Sequence, residues 1–569
     1  MFYVIQMRLY AWGSAMHSMN HLRVKAGRIT AQRFISIAVI AMVSTAAVVS
    51  AGQTGAFSPL RSDQSVSLRF FGSRSAELFS RELDASFQGV LEQNFVSKAT
   101  NGFPAGFVNA SLPGFPWAGT MWTRDGGTFM RELVMRGYYE HAALLAQCLM
   151  DLVQKNPQGY YSFPRYFRGY KPEAGPAAEL DGTASIVIGM ALLWERLPND
   201  NPMKQRIWDF LFQAASPVNY FKFELQDRPL IAGTGEFGCG GGDIKQLCYN
   251  VVQNDLVMLA LTAVAKMADE GGEDALAAQD RSLAHKVMDG MLKYLEAKNG
   301  AWIWCVDAKT MTPDPALLNS WGNKGTGSLN GVIAMYADVL GLTPLTSSWP
   351  GDAHSEKTFA QLYNTPMRKR EFERYGIWTQ SDEVAGGFLT SPSYGQGYAI
   401  QTMLLFDKLD MAEKGLEWLA DATYDPIPQY KLHRASRYYF YERMYPPDAV
   451  GKVALEEGCG ALNLVNVSEP LKVSRLLLGV DDSSLQWVRI IPRIPDSWKG
   501  VEARNWPIRT RHGVVRADIL FENKGTGGEL TLKLSPGQEI DDLRVRMPSA
   551  NGYVWREQKH VHTAHFIAQ

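Results

Sequence analysis

Excess charge of either sign is missing from this sequence. Its 57 lysines and arginines meet 58 aspartates and glutamates, for a formal net charge of -1. That balance argues against nucleic acid or an anionic membrane as the main partner. Cysteine is scarce, with five in 569 residues. No cysteine spacing resembles a zinc site, so neither a metal nor another cofactor is expected. No internal repeat supports a solenoid. Nor is there a clear cradle of glycines and basic residues for phosphate, the nearest approach being the triple-glycine loop before Lys245. The apolar run Ile35–Val49 is too short for a comfortable membrane span. Arg23, Lys25, Arg28 and Arg33 precede it, and Val49-Ser50-Ala51 offers small residues for cleavage. This is the pattern of a secretory signal over 1–51, which implies a secreted or periplasmic protein. An uncleaved N-terminal anchor is the rival reading. In an exported compartment disulfides are permitted, and Cys239 and Cys248, which bracket a Gly-rich loop, could bridge. The odd count leaves at least one thiol free. The sequons at Asn109 and Asn466 matter only if the source glycosylates.

What the chain does have is a large core, with 46% hydrophobic residues, 15 Trp and 23 Tyr. Apolar positions recur at helical spacing from Ser73 to Phe95. Further helices are predicted over 128–136, 138–153, from about 183 to 197, and over 202–223, 251–267, 274–298, 328–340, 356–375, 397–408, 411–420 and 468–478. About twelve helices result, joined alternately by short links and by long links rich in Gly, Trp, Tyr and acids. Helices paired this way close into a double ring with the long links gathered at one end, where sites sit. The expected fold is mainly α: an (α/α)6 six-hairpin barrel over 52–481. After Asp481 the runs at 488–492, 514–520, 530–534 and 543–546 alternate or are β-branched, separated by Gly and Pro-Gly turns. They predict a small C-terminal β-sandwich over 482–569.

The stretch around which the rest is organised is Phe115 to Gly127, containing Trp122-Thr123-Arg124-Asp125. It reads as an aromatic, Gly-bounded loop running into a helix. A Trp face can stack on the C–H face of a pyranose, while a carboxylate and a forked guanidinium hydrogen-bond neighbouring hydroxyls. The plainer account is a helix capped by Asp125, with Arg124 solvated.

Three stretches resemble the six-hairpin glycosidases, the superfamily of glucoamylases and α-L-rhamnosidases. Trp122-Thr123-Arg124-Asp125 is similar to the Trp-x-Arg-Asp element of glucoamylases. Leu180-Asp181-Gly182-Thr183-Ala184 is similar to their Asp-Gly-x-Ala element. Arg475–Asp481 with Ile491–Trp498 resembles the junction of barrel and β-domain in rhamnosidases. The resemblance implies glycoside hydrolysis by two carboxyls, with Trp122, Arg124, Asp125 and Asp181 holding the terminal sugar.

The resemblance also implies an acid in the loop before one barrel helix and a base in the loop before the last. Glu236 stands alone among glycines beside Phe237, a setting that raises a carboxyl's pKa for acid work. It is the first candidate for acid, with Asp243 the alternative. Tyr441-Glu442-Arg443 is similar to the Trp-Glu-Arg element carrying the rhamnosidase base, so Glu442 is the first candidate for base. Glu457, paired with Glu456, is the second. Trp304, Trp321, Gln396 and His433 lie in loops expected on the same rim and are candidate sugar contacts. The function expected is an exo-acting, inverting glycoside hydrolase with a carbohydrate as its partner. A polysaccharide lyase is the alternative, using a Tyr or His base and the basic residues near Tyr161–Arg168 and His433-Arg434. A non-catalytic glycan-binding protein is the third reading.

Overall fold

The computed structural model describes residues 66–115, 117–173, 180–233, 248–303, 305–312, 352–363, 394–424, 438–440 and 462–568. The leader, the segment expected as a helix over 328–340, and the loops carrying Glu236, Asp243, Trp304, Trp321, His433, Glu442, Glu456 and Glu457 lie outside these residues. So does Cys239, and with it the Cys239–Cys248 pairing. Cys148 is a buried thiol whose pKa burial pushes up to about 12.

In chain order the first elements are β1 (Ser67–Phe71) and α1 (Arg74–Gly89). Ser73 caps α1 by accepting from the Ala76 amide, and a short π-helical turn, Val90–Asn94, closes it. Then come β2 (Thr120–Trp122), α2 (Thr123–Met135) and α3 (Tyr139–Leu152). The short strands β3 (Gln154–Lys155), β4 (Tyr161–Ser162), β5 (Tyr166–Arg168) and β6 (Lys171–Pro172) lead to α4 (Leu180–Arg196). The helix expected over 202–223 is two: α5 (Pro202–Phe212) and α6 (Pro217–Glu224). Ser216 caps the second and Pro217 opens it, which breaks the run. Next are β7 (Cys248–Asn250), α7 (Val251–Glu270), α8 (Asp274–Tyr294), β8 (Cys305–Asp307), α9 (Asp352–Tyr363), α10 (Tyr394–Leu405), α11 (Leu409–Tyr424) and α12 (Leu464–Leu478).

Two kinds of helix recur among the described residues. α2, α4, α7 and α12 are buried almost all round, whereas α1, α3, α5 and α8 bury one face. A helix apolar on all sides belongs inside; an amphipathic one covers it. α7 is long and apolar enough to cross a membrane, yet 89% of its apolar window is buried within the protein. The inner helices touch in the order α7, α4, α2, α12, α10, and the outer α1 packs on α11. The described residues therefore form an inner layer of helices wrapped by an outer one.

The C-terminal region holds β9 (Val480–Asp481), β10 (Val488–Ile490), β11 (Gly500–Thr510), β12 (Gly513–Asn523), β13 (Gly528–Leu534), β14 (Ile540–Ser549), β15 (Gly552–Val561) and β16 (Thr563–Ala568). One sheet runs β1-β11-β12-β13-β16 and another β15-β14-β10-β9. Alternation decides the faces: Leu530, Leu532 and Leu534 of β13 point inward, and Glu529, Thr531 and Lys533 do not. β1, from the other end of the described chain, pairs antiparallel with β11 from Ser67↔Arg504 to Phe71↔Gly500. Trp498 anchors this junction. Fully buried, it packs on Phe70 and Phe79 with centroids at 5.4 and 6.1 Å, and its indole donates to Ser75 Oγ at 3.1 Å.

Candidate functional site

The Trp122 stretch is not the loop its composition suggests. Thr120–Trp122 pairs antiparallel with Tyr166–Arg168, and helix α2 begins at once at Thr123. The cap position belongs to Trp122 rather than Asp125, and no side chain caps it. Arg124 and Asp125 thus sit in the first helical turn, both buried, and Arg124 is not solvated. The segment Phe163–Arg165 fixes two helix starts at once. Thr123 donates from its amide to Arg165 O at 3.0 Å and from its hydroxyl to Pro164 O at 2.7 Å. The Phe163 amide donates to Thr183 Oγ1, in the first turn of α4, at 3.1 Å. Close approach of α2 to α4 needs glycine: a Cβ on Gly182 would lie 2.2 Å from Thr123 Oγ1, and one on Gly127 2.6 Å from the Ser185 carbonyl carbon.

This packing brings the two sequence-distant motifs together. Arg124 Nε lies 3.4 Å from Asp125 Oδ1, and Arg124 Nη1 lies 3.5 Å from Asp181 Oδ2. One guanidinium is therefore held between two carboxylates in the first turns of two inner helices. Both acids sit where the helix dipole favours negative charge. The distances exceed a good N–H···O bond, so the contacts are ionic rather than bidentate.

Beside this group is an aromatic cluster. Trp122 meets Trp117 edge-on at 5.0 Å and Tyr166 at 5.2 Å. The Arg165 guanidinium lies 5.5 Å from the Trp122 ring centre and is itself paired with Glu173 at 2.6 Å. Trp122 Nε1 is buried with no hydrogen-bond partner among the described residues. Because Glu173 balances Arg165, the basic loop around Tyr161–Arg168 is partly neutralised, which removes one support for recognition of a uronate.

Further polar residues are buried in the inner helices, and sequence reasoning missed them. Burial pushes the Tyr398 hydroxyl well above its ordinary pKa; the charges acting on it are those of Glu469, Arg124, Arg131 and Asp125. Gln401 donates to Glu469 Oε2 at 2.7 Å, and Lys472 Nζ stands 3.3 Å from the same oxygen. Glu132 of α2 pairs with Arg475 of α12 at 3.0 Å. On α7, the Asp255 carboxyl is fully buried, is driven well above its ordinary range by burial, and has no partner among the described residues. The available signal was polar residues inside apolar helices: Gln253-Asn254-Asp255 opening α7, and Glu469, Lys472 and Arg475 in α12.

Of the predicted site residues, the structure brings together Trp122, Arg124, Asp125 and Asp181. Gln396 falls in the first turn of α10. Glu236, Glu442, Glu457, Trp304, Trp321 and His433 lie outside the described residues. Asn466 is fully buried in α12, which rules out its sequon for the folded protein. Among the described residues, a cluster of three groups within reach of one metal ion lies elsewhere, at Glu539, Asp541 and His560.

A layered helical body with a sheet-bearing C-terminal region defines a class of mainly helical proteins with trailing sheets, here with a buried Arg–Asp group at the starts of inner helices. The comparisons with known proteins agree with that class. No family model matches the sequence, and no curated protein matches it. Among solved structures, the chain is similar to the α-L-rhamnosidase of Dictyoglumus thermophilum, with TM-score 0.51 and 12% identity over 89% of this chain and 51% of that one. A rhamnosidase of Bacillus sp. GL1 gives 0.48 and 14% over 83% and 41%. The glucoamylase of Saccharomycopsis fibuligera gives 0.49 and 13% over 71% and 96%. The chain spans about half the length of the first of these. At 12% identity the likeness to the first shows a shared fold.

Proposed function

We propose that this chain is an exported glycoside hydrolase that removes a terminal sugar from an oligo- or polysaccharide with inversion. The observation that carries the reading is Arg124 held between Asp125 and Asp181 beside the Trp122 cluster, on a fold shared with an α-L-rhamnosidase. In this reading the inner and outer helices close as an (α/α)6 barrel over 52–481, and the two sheets stack as a β-sandwich over 482–569. The segment 1–51 is the export signal. The Arg124–Asp125–Asp181 group binds hydroxyls of the terminal sugar, and Trp122 stacks on it. Glu236 protonates the leaving oxygen. Glu442, or failing it Glu457, activates water on the opposite face, which requires about 6.5–9.5 Å between the two carboxyls. Trp304, Trp321, Gln396 and His433 contribute further sugar contacts from the rim.

The test is product release from a panel of plant and microbial oligosaccharides, with wild type beside Glu236→Gln and Glu442→Gln. The expected result is a released monosaccharide, lost by about 10²-fold or more in both variants, as for acid–base groups. Unsaturated products from wild type would instead establish a lyase. Binding with no turnover by any of the three proteins would establish a glycan-binding protein. Retained activity in Glu442→Gln with loss in Glu457→Gln would move the base to Glu457.

A further inference from the structure

The C-terminal region carries an arrangement of side chains that glycoside hydrolysis leaves unused. Glu539 immediately precedes β14 and Asp541 is its second residue, while His560 is the last residue but one of β15 and His562 immediately follows it. Strands β14 and β15 pair antiparallel, with Ile540 opposite Val561 and Asp542 opposite Lys559. Asp541 and His560 lie between those two pairs, and Glu539 and His562 lie just beyond the first. His560 departs from extended geometry, with φ 54°, so side-chain contacts rather than strand alternation bring these imidazoles and carboxylates near one another at the edge of the sheet. His560 Nδ1 is 2.6 Å from Glu539 Oε1, and His562 Nε2 is 3.8 Å from Glu539 Oε2. Ligand atoms of Glu539, Asp541 and His560 lie within 4.8 Å of one another.

His562 lies beside that group of three and meets it through Glu539. Its Nδ1 lies 2.7 Å from the Gln538 backbone carbonyl. A carbonyl only accepts, so Nδ1 carries the proton and, in the neutral ring, Nε2 presents its lone pair toward Glu539. An imidazole N–H held by a backbone carbonyl, with the other nitrogen facing a shared centre, is how histidine is prepared for a metal. Tetrahedral ligands at about 2.0–2.2 Å from zinc stand about 3.4 Å from one another, a spacing that the three groups, already within 4.8 Å, reach by side-chain adjustment.

We propose that Glu539, Asp541 and His560 form a surface site for a borderline divalent metal ion of the zinc class, with His562 turning in from beside Glu539 as the fourth ligand. Mixed imidazole and carboxylate ligands suit zinc; calcium and magnesium prefer oxygen alone. Arg511, from the β11–β12 turn, competes for the site: its Nε lies 2.7 Å from Asp541 Oδ2. A bound ion displaces that guanidinium and ties the edge strand β15 to β14.

The test is isothermal titration of the full, untagged chain with zinc chloride alone, at neutral pH, followed by thermal melts with and without zinc. One site is expected, weakened about 10-fold or more in His562→Gln and in Glu539→Gln, and tightened in Arg511→Ala. Wild type should melt higher with zinc and His562→Gln should not, while both melt alike in chelator. Calcium chloride should give no heat. The proposal is overturned if wild type shows no zinc binding below about 1 mM, or if the double variant His560→Gln/His562→Gln binds as wild type does.

Discussion

Arg509 Nη1 lies 3.5 Å from Glu195 Oε2, with 2% of either side chain exposed, and this contact joins the C-terminal sheet to the helical body. Glu195 and Arg196 close helix α4, Lys266 and Glu270 belong to α7, and Arg509 to β11. Lys266 Nζ is 2.9 Å from Glu195 Oε2. Arg509 also pairs with Glu270, and its amide donates to Asp482 Oδ2 at 2.7 Å. Arg196 meets Asp482 Oδ1 at 2.7 Å. The expected junction at 481–482 is thus crossed by a buried network, not by a free linker.

Glu195→Ala is therefore expected to destabilise the whole protein by about 3 kcal/mol, because it leaves buried cations short of a partner. Burial pushes the Glu195 carboxyl up, but Lys266, Arg509 and Arg196 together outweigh it and hold its pKa below the ordinary 4.5. A carboxyl depressed in the folded state contributes stability above its unfolded pKa, and loses it as pH falls through the folded one. The gap between wild type and Glu195→Ala should be full at pH 7 and shrink below about pH 4.5. Denaturant unfolding at pH 7 and pH 4 measures it; a gap that widens in acid would contradict the assignment.

Glu82 of α1 behaves oppositely. Its carboxyl is buried, neither oxygen has a partner among the described residues, and burial, reinforced by Asp421 and opposed by Arg74, raises its pKa well above 4.5. The folded state then holds a proton that the unfolded chain releases, so stability falls as pH rises from about 4.5 toward the folded pKa. Glu82→Gln removes that loss. Its stability relative to wild type should increase between pH 4.5 and pH 7.5, by up to about 1.4 kcal/mol per pH unit within the window. Unfolding curves for both proteins at the two pH values decide it.

Legibility in the sequence followed distance along the chain. Helical periodicity exposed α3, α7 and α8 to within a few residues, because one apolar face repeats locally. The Arg124–Asp125 and Asp181 motifs were visible because each is contiguous, yet that they meet depends on Gly127 and Gly182 letting two helices touch. Strand β1 escaped notice because its partner β11 lies more than 400 residues away, and pairing rather than pattern makes it a strand. Glu469, Lys472 and Arg475 lie in a helix whose position inside other helices no local pattern states. The imidazoles and carboxylates at β14 and β15 show no zinc-like spacing, since only the pairing of the two strands brings them near.

Gly127→Ala tests the contact that assembles the site. The added methyl would sit 2.6 Å from the Ser185 carbonyl carbon and 2.7 Å from the Ile186 amide nitrogen, both backbone atoms that cannot swing away. Helices α2 and α4 must then separate, at a cost of about 1–3 kcal/mol or more. Alanine's better helix propensity returns at most about 1 kcal/mol. A lower melting temperature is expected, with reduced sugar binding in the protein that remains folded. Gly126→Ala is the control, since its Cβ would meet only Met121 side-chain atoms, at 3.7 and 3.8 Å.

Arg124→Lys separates a sugar-holding guanidinium from one that merely balances Asp125 and Asp181. Lysine keeps the charge, so the two buried carboxylates stay compensated and the melting temperature should change little. It lacks the planar fork that binds two hydroxyls at once. Losing one charge-assisted bond of about 1.5–3 kcal/mol predicts a roughly 10- to 100-fold fall in kcat/KM on the released sugar. If Arg124 serves packing alone, the activity per folded molecule should survive in Arg124→Lys, whereas Arg124→Met should unfold more easily because it removes a buried cation facing two carboxylates. Measuring kcat/KM and melting temperature on the same preparations distinguishes the two roles, because the sugar contact moves the first and the packing contact the second.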